Sequence, residues 1–191
     1  MRKRINGIAG IIIGLVLTSC GTGRIASLDR EPTEAIIVAK IQIKNGDSFI
    51  ENKWNFLLDE RLMGKWAVWP DENNYIYMKV PVGKHFIALL QYNGFHKNIP
   101  DNYLTIESET NDIYYIGDIV IHWPINKKTD VANYSSGGAI GGALGAVMDS
   151  KEPGAYLDVD VIDNYDETAA YFISKFNCNQ EIKKSLLKIK K

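Results

Sequence analysis

Few side chains in this chain could do chemistry: two cysteines and three histidines stand among 191 residues. His85, His96 and His122 have no second histidine, cysteine or carboxylate at ligand spacing on one recognisable element, so no metal motif is written locally. No serine lies in a Gly-x-Ser-x-Gly elbow. The glycine-rich run 137–148 lacks the Gly-Lys-Ser/Thr of a phosphate loop. Asp158, Asp160, Asp163, Asp166 and Glu167 form an acidic stretch, but the glycine and closing glutamate of a calcium loop are missing. A solvated strand edge and helix-start charges account for it. Cys178 has no electropositive setting that would make it a nucleophile. The sequence therefore predicts no catalytic residues, no metal site and no cofactor. An enzyme would need a site assembled from dispersed positions such as His85, His96, His122 and Cys178. The reactive group with a setting of its own is Cys20.

Cys20 follows Arg2, Lys3 and Arg4, an apolar run from Ile8 to Leu17, and two small residues. A basic start, a short apolar core and small residues at a cut have the form of a secretory signal. Leu17-Thr18-Ser19-Cys20 resembles the bacterial lipobox. The resemblance implies that residues 1–19 are removed and that Cys20 carries diacylglycerol on sulfur and an acyl group, such as palmitate, on its new N-terminus. The rest would be a lipid-anchored protein of the cell envelope. In enterobacterial lipoproteins an Asp after the cysteine retains the protein in the inner membrane. Gly21 stands there, which leans towards the outer membrane and the periplasm. The competing reading is an uncleaved transmembrane helix over Ile5 to Gly23, which carries no charge. Its continuously apolar part is shorter than the roughly 20 residues a span needs.

About 170 residues remain from Cys20, the size of one domain with a real core. Without Arg2, Lys3 and Arg4 the chain keeps 19 basic against 23 acidic residues, a weakly acidic balance that disfavours nucleic acid as a partner. With Cys20 assigned to lipid, Cys178 has no internal disulfide partner and is expected as a small buried hydrophobe.

These groups must be positioned by a chain that reads mainly as strands. Residues 20–34 form a polar tether, read as a spacer. Ala35 to Lys44, Phe49 to Leu58, Lys65 to Trp69, Tyr75 to Val80, His85 to Tyr92, Tyr103 to Glu107 and Ile113 to Trp123 carry β-type patterns separated by turn residues. Asn45-Gly46 signals a hairpin, and 75–92 reads as another. Ile113, Tyr115, Ile119, Ile121 and Trp123 are expected on one side. Tyr156 to Asp163 is a further strand able to pair with 113–123. Asn164 and Glu167 suggest a capping box for a helix with Ala169, Phe172, Ile173 and Phe176 inward. Ile182, Leu186 and Ile189 suggest a second helix. The fold expected is an antiparallel β-sandwich of about seven to eight strands with a Gly-rich loop and two C-terminal α-helices. It divides into a signal (1–19), lipidated cysteine and tether (20–34), sandwich (35–123), Gly-rich loop (124–155), and added strand with helices (156–191).

Val80-Pro81-Val82-Gly83-Lys84-His85-Phe86 resembles the hairpin of PEGA-like and carboxypeptidase-regulatory-like β-sandwiches. Tyr114-Tyr115-Ile116-Gly117-Asp118-Ile119 is similar to the strand that comes next in many bacterial lipoproteins with such domains. The resemblance spans roughly Ala35 to Trp123 and implies a small non-catalytic binding module, with no active-site residues to transfer. Gly137, Gly141 and Gly145 stand at i, i+4, i+8 and resemble a glycine zipper, which permits membrane contact or self-association. As a helix the twelve residues 137–148 span about 18 Å, short of the roughly 30 Å hydrocarbon core, so a surface loop is the plainer reading. Trp54, Trp66, Trp69, Tyr75, Tyr77, Tyr92 and Tyr103 could form an exposed row for glycan or peptide recognition, or could be core. The function expected is a membrane-anchored, non-enzymatic module that binds an envelope protein or a glycan.

Overall fold

The structure, a computed structural model, describes residues 25, 27–59, 67–130 and 154–190. Cys20, Gly137, Gly141, Gly145, Lys65 and Trp66 lie outside the described residues. The apolar run just after the tether becomes β1 (Glu34–Asn45). Its residues are buried on both faces: Ala35, Ile37, Ala39, Ile41 and Ile43 enter one apolar cluster, and Ile36 and Val38 another. A strand covered on both sides reads as a continuous apolar run rather than an alternation, which explains the opening Ala-Ile-Ile-Val-Ala.

β1 is central in the first sheet. On one side it pairs antiparallel with β2 (Ser48–Phe49) and β5 (Tyr75–Pro81). On the other it pairs parallel with β9 (Ile113–His122), whose far edge takes β10 (Asp158–Ile162) antiparallel and β11 (Ile182–Lys184) parallel. The second sheet runs β12 (Lys188–Ile189), β8 (Leu104–Ser108), β6 (Gly83–Tyr92), β3 (Trp54–Leu58), β4 (Ala67–Val68), with β7 (Phe95–Asn98) also on β6. Between the sheets lie Trp54, Phe56, Leu90, Leu104, Ile106, Ile121 and Trp123, all fully buried. Helix α1 (Tyr165–Phe176) covers the outer face of the first sheet, packing Ala169 and Phe172 on Ile36, Val38, Tyr75, Tyr77, Ile113 and Tyr115. Among the described residues the molecule is mainly β, two mostly antiparallel sheets with one helix outside them.

Several expectations are corrected. Twelve strands, not seven or eight, form among the described residues, and the β1–β9 and β9–β11 pairings are parallel. The second C-terminal helix is absent: its residues form β11 and β12. An isolated segment that short gains little as a helix. Here its backbone closes both sheets instead, with Ser185 N–H donating to Tyr115 O (2.9 Å) and Leu187 N–H to Ile116 O (2.8 Å). Residues 75–92 are not a hairpin, since β5 belongs to the first sheet and β6 to the second. The turn between them is a corner held by Val82 N–H on Thr33 O (2.7 Å). Phe49 to Leu58 likewise divides between the sheets, as β2 and β3. The turn at Asn45-Gly46 does form, with Asn45 opposite Ser48.

β9 changes faces midway. Ile113 and Tyr115 point to α1, whereas Ile119, Ile121 and Trp123 enter the inter-sheet core. The register slips between Val38 and Lys40, where β9 carries one residue more than β1. That extra residue is a β-bulge, which reverses the side-chain parity beyond it. Gly117 occupies it with φ of +111°, and a Cβ there would stand 2.8 Å from Val161 Cγ1.

The strands define two poles. At the first, β1, β9 and β11 begin and β5 turns into β6. At the second, β1 and β9 end: Trp123 N–H donates to Lys44 O (2.8 Å), and β10 begins with Asp158 opposite His122.

Candidate functional site

The anchor cysteine and the glycine run lie outside the described residues, but the places where their flanking chain meets the domain are defined. Ile25 and Leu28 pack against the cluster under α1, just ahead of Arg30 at the first pole. Arg30 donates from Nε to Asn111 Oδ1 (3.2 Å), and from its two Nη to Asn111 O (3.1 Å), Gln180 Oε1 (3.0 Å) and Leu28 O (3.3 Å). Asn111 Nδ2 donates in turn to the carbonyls of Glu31 and Glu34. The planar guanidinium suits this fork of fixed acceptors. Residues 27–34 are therefore a seated part of the domain.

At the second pole the Gly-rich segment leaves after Asp130 and returns before Gly154. Asp130, 1% exposed, accepts from Trp123 Nε1 (2.9 Å), Asn126 N–H (2.9 Å), Thr129 Oγ1 (3.1 Å) and Lys97 Nζ. Burial works against its charge, but Lys97, Asn126 and Trp123 outweigh it and hold the carboxyl below its usual range. His96 N–H donates to Asp130 O (2.8 Å) and Ala155 N–H to Asn98 O (2.8 Å). Both ends of the segment are thus pinned to β7, two residues apart.

A third polar group lies under α1. Asp71, also 1% exposed, accepts from Lys175 Nζ (2.8 Å), Tyr171 OH (2.6 Å), Tyr77 OH (3.4 Å), Tyr75 N–H (2.9 Å) and Asn73 N–H (3.0 Å). Burial opposes ionisation here too, but the Lys175 and Tyr171 bonds keep the carboxyl below its ordinary value. Lys175 is pushed up by Asp71 despite its own burial, so it stays a cation and is no nucleophile. Tyr171 stacks on Tyr75 at 3.9 Å between centroids. Glu167 receives Lys40 Nζ (3.0 Å) and Tyr75 OH (3.2 Å). Asp118 takes Thr168 Oγ1 (2.9 Å) and Asn164 Nδ2 (3.3 Å). Asn164 precedes α1 without a side-chain cap, so the capping box is not formed. Tyr115 OH accepts from Asn164 N–H (2.7 Å). Burial, with the Asp118 carboxylate beside it, pushes the Tyr115 phenol up to about 12, against the opposing pull of that N–H.

The histidines are not brought together as a site. His85 Nδ1 meets Asp59 Oδ2 (2.6 Å) and Nε2 meets Pro81 O (2.8 Å), so both ring nitrogens face oxygen at the β5–β6 corner. His122 Nε2 meets Asp160 Oδ2 (2.9 Å) across the β9–β10 pair. His96 sits in β7. Among the described residues no three His, Cys, Asp or Glu side chains gather as a metal site. Cys178 is half-buried against the α1 cluster. The acidic stretch is spent on the β10 edge and the start of α1, with Asp163 meeting Lys184 Nζ (2.7 Å). The aromatic row does not form: Trp54, Tyr75, Tyr77 and Tyr103 are buried and Trp69 alone of the described set is well exposed. Sequence reading missed Arg30, Asp71, Asp130, Tyr171 and Lys175. Their partners lie up to 104 residues away, and no local spacing signals such pairs. No described helix is long and apolar enough to cross a membrane.

The chain matches no protein-family model, no curated protein and no solved structure at a significant level.

Proposed function

We propose that this is a lipid-anchored extracytoplasmic protein, a non-enzymatic binding or structural module of the cell envelope, more at home on the outer membrane than the inner. The observation that carries this reading is Leu17-Thr18-Ser19-Cys20 behind a basic, then apolar, start. Two or three acyl chains on Cys20 suffice for stable anchoring, at roughly 0.8 kcal/mol per buried CH₂. The non-enzymatic part draws support from how the polar side chains are used. His85, Asp71, Asp118 and Asp130 spend their hydrogen-bonding capacity on the fold itself, whereas a catalytic group needs a valence aimed at substrate. A PEGA-like or carboxypeptidase-regulatory-like ancestry belongs to the reading. The two packed sheets favour it, and the inter-sheet corner at Pro81 weighs against it.

The test is metabolic labelling with radioactive palmitate in a bacterial host. The wild-type chain takes label and fractionates with membrane, and Cys20→Ser does neither. Label on the Cys20→Ser chain, or membrane retention of it, would sink the proposal.

A second reading, a membrane-active or self-associating lipoprotein acting through Gly137, Gly141 and Gly145, is favoured by one observation. The two residues that flank the stretch, Asp130 and Ala155, are both held on β7, close together. Deleting 137–148 then changes oligomeric state or liposome binding; an unchanged state rejects it.

A further inference from the structure

The tether seat and the insertion stem lie at opposite ends of the same strands. Arg30 and Asn111 hold the tether where β1 and β9 start. Asp130, through the indole of Trp123, holds the stem where they end. From Glu34 to Lys44 is ten residue steps, about 33 Å at roughly 3.3 Å per residue. Between Cys20 and the packed side chain of Ile25 stand only Gly21, Thr22, Gly23 and Arg24. Whatever their conformation, five residue steps reach no further than about 18 Å.

We infer that the domain is oriented on its membrane: the pole carrying Arg30 and Asn111 faces the anchoring bilayer, and the pole from which 131–153 departs faces away, about 30 Å further out. This rests on the lipid-anchor reading. The cause is tether length and not charge. The first pole carries Asp29, Glu31, Glu34, Glu107, Glu109, Asp112 and Glu181 against Arg30, Lys79, Lys84 and Lys183, an acidic balance that gives anionic lipid no net attraction. Asp130 and Ala155, which flank the glycine-rich stretch, are thereby held at the outward end.

The experiment uses the full-length lipidated protein in vesicles, with Cys178→Ala as background. A donor fluorophore is placed at Glu31→Cys or at Lys128→Cys, both exposed, with an acceptor on outer-leaflet headgroups. Energy transfer should be several-fold stronger from position 31. Equal transfer, or stronger transfer from 128, overturns the orientation while leaving the anchor reading intact. Failure of the wild-type chain to take palmitate or stay with the vesicles removes both. Inserting about twelve Gly/Ser residues between Arg24 and Ile25, a flexible span of about 20 Å on average, should abolish the difference. A difference that survives shows the domain docking by its own surface and overturns the tether as its cause.

Discussion

Replacing Asp71 by asparagine keeps the shape of the side chain and removes its charge, and the partners of its two oxygens set the size of the loss. Oδ1 takes the N–H groups of Tyr75 and Asn73, and an amide oxygen can continue to do so. Oδ2 takes Lys175 Nζ, Tyr171 OH and, more distantly, Tyr77 OH. An NH₂ group there accepts nothing, so a cation and a phenol lose their acceptor at once. Removing one member of a buried ion pair typically costs about 3–5 kcal/mol. Lys175 keeps 30% of its side chain in solvent and can partly rehydrate, which brings the expected loss to about 2–3 kcal/mol. For a chain of this size that is about 4–12 °C in Tm. Urea unfolding of the Cys20→Ser chain measures it, with an unchanged m-value confirming that stability alone has moved. Asp71→Asn combined with Lys175→Met should recover at least half of the loss, because the stranded cation is gone. The pH dependence carries a sign of its own. The folded-state pKa of Asp71 lies below its unfolded value, so its contribution is complete above about pH 4 and fades as pH falls through the folded pKa. The variant should lack that acid limb. A loss under about 0.5 kcal/mol, or no coupling to Lys175, would refute the claim that this carboxylate fastens the helix.

Gly117→Ala combines a φ of +111° with a Cβ 2.8 Å from Val161 Cγ1. The backbone strain alone is about 1–3 kcal/mol, and thermal unfolding should show a loss of at least that size. Burial holds the Tyr115 phenol up at about 12 in the folded state. A raised phenol pKa means stability that is complete below the unfolded value near 10 and lost as pH rises towards 12. Tyr115→Phe, which strands Asn164 N–H, should be less stable at neutral pH by about 1–2 kcal/mol yet show a flatter decline between those two values in pH-dependent denaturation. Arg30→Ala should leave the core intact but expose residues 27–30 to limited proteolysis, since their polar hold is the Arg30 fork while Thr33 keeps its bond from Val82.

Alternating and apolar runs located most strands, because burial of one or both faces is written in side-chain type. Ala35 to Lys44, Ile113 to Trp123 and Tyr156 to Asp163 are found close to where the pattern puts them, and the last pairs with β9 as expected. What the pattern could not carry is which sheet a strand joins. Tyr75 to Val80 and His85 to Tyr92 are adjacent and compatible with a hairpin. Their partners, β1 and β3, are chosen by contacts far along the chain. The face swap at Gly117 was invisible for a related reason: a bulge inserts one residue into a period of two. The C-terminal segment misled because Ile182, Leu186 and Ile189 fit a helical stripe, while unpaired edges of both sheets offered its backbone a better set of partners. Of the polar groups, none was legible, because they depend on Asp130 meeting Trp123 and, far apart in the chain, on Asp130 meeting Lys97 and Arg30 meeting Asn111.

The polar hubs share one property that bears on their role. Asp71 and Asp118 join α1 to the first sheet, Asp130 joins the insertion stem to β7 and β9, and Arg30 joins the tether to β9 and the start of β11. Each lies where an appended part meets the sandwich, and none lies within the inter-sheet core, which is almost wholly apolar. Buried charge pairs are weak contributors to stability compared with apolar packing of the same volume. Their advantage is directional: a carboxylate with four or five donors accepts one arrangement, whereas an apolar contact tolerates sliding. A sandwich needs no such help, since strand register already fixes it. A helix, a tether and an insertion that must hold set positions do. Charge is thus spent where geometry and not cohesion is at stake.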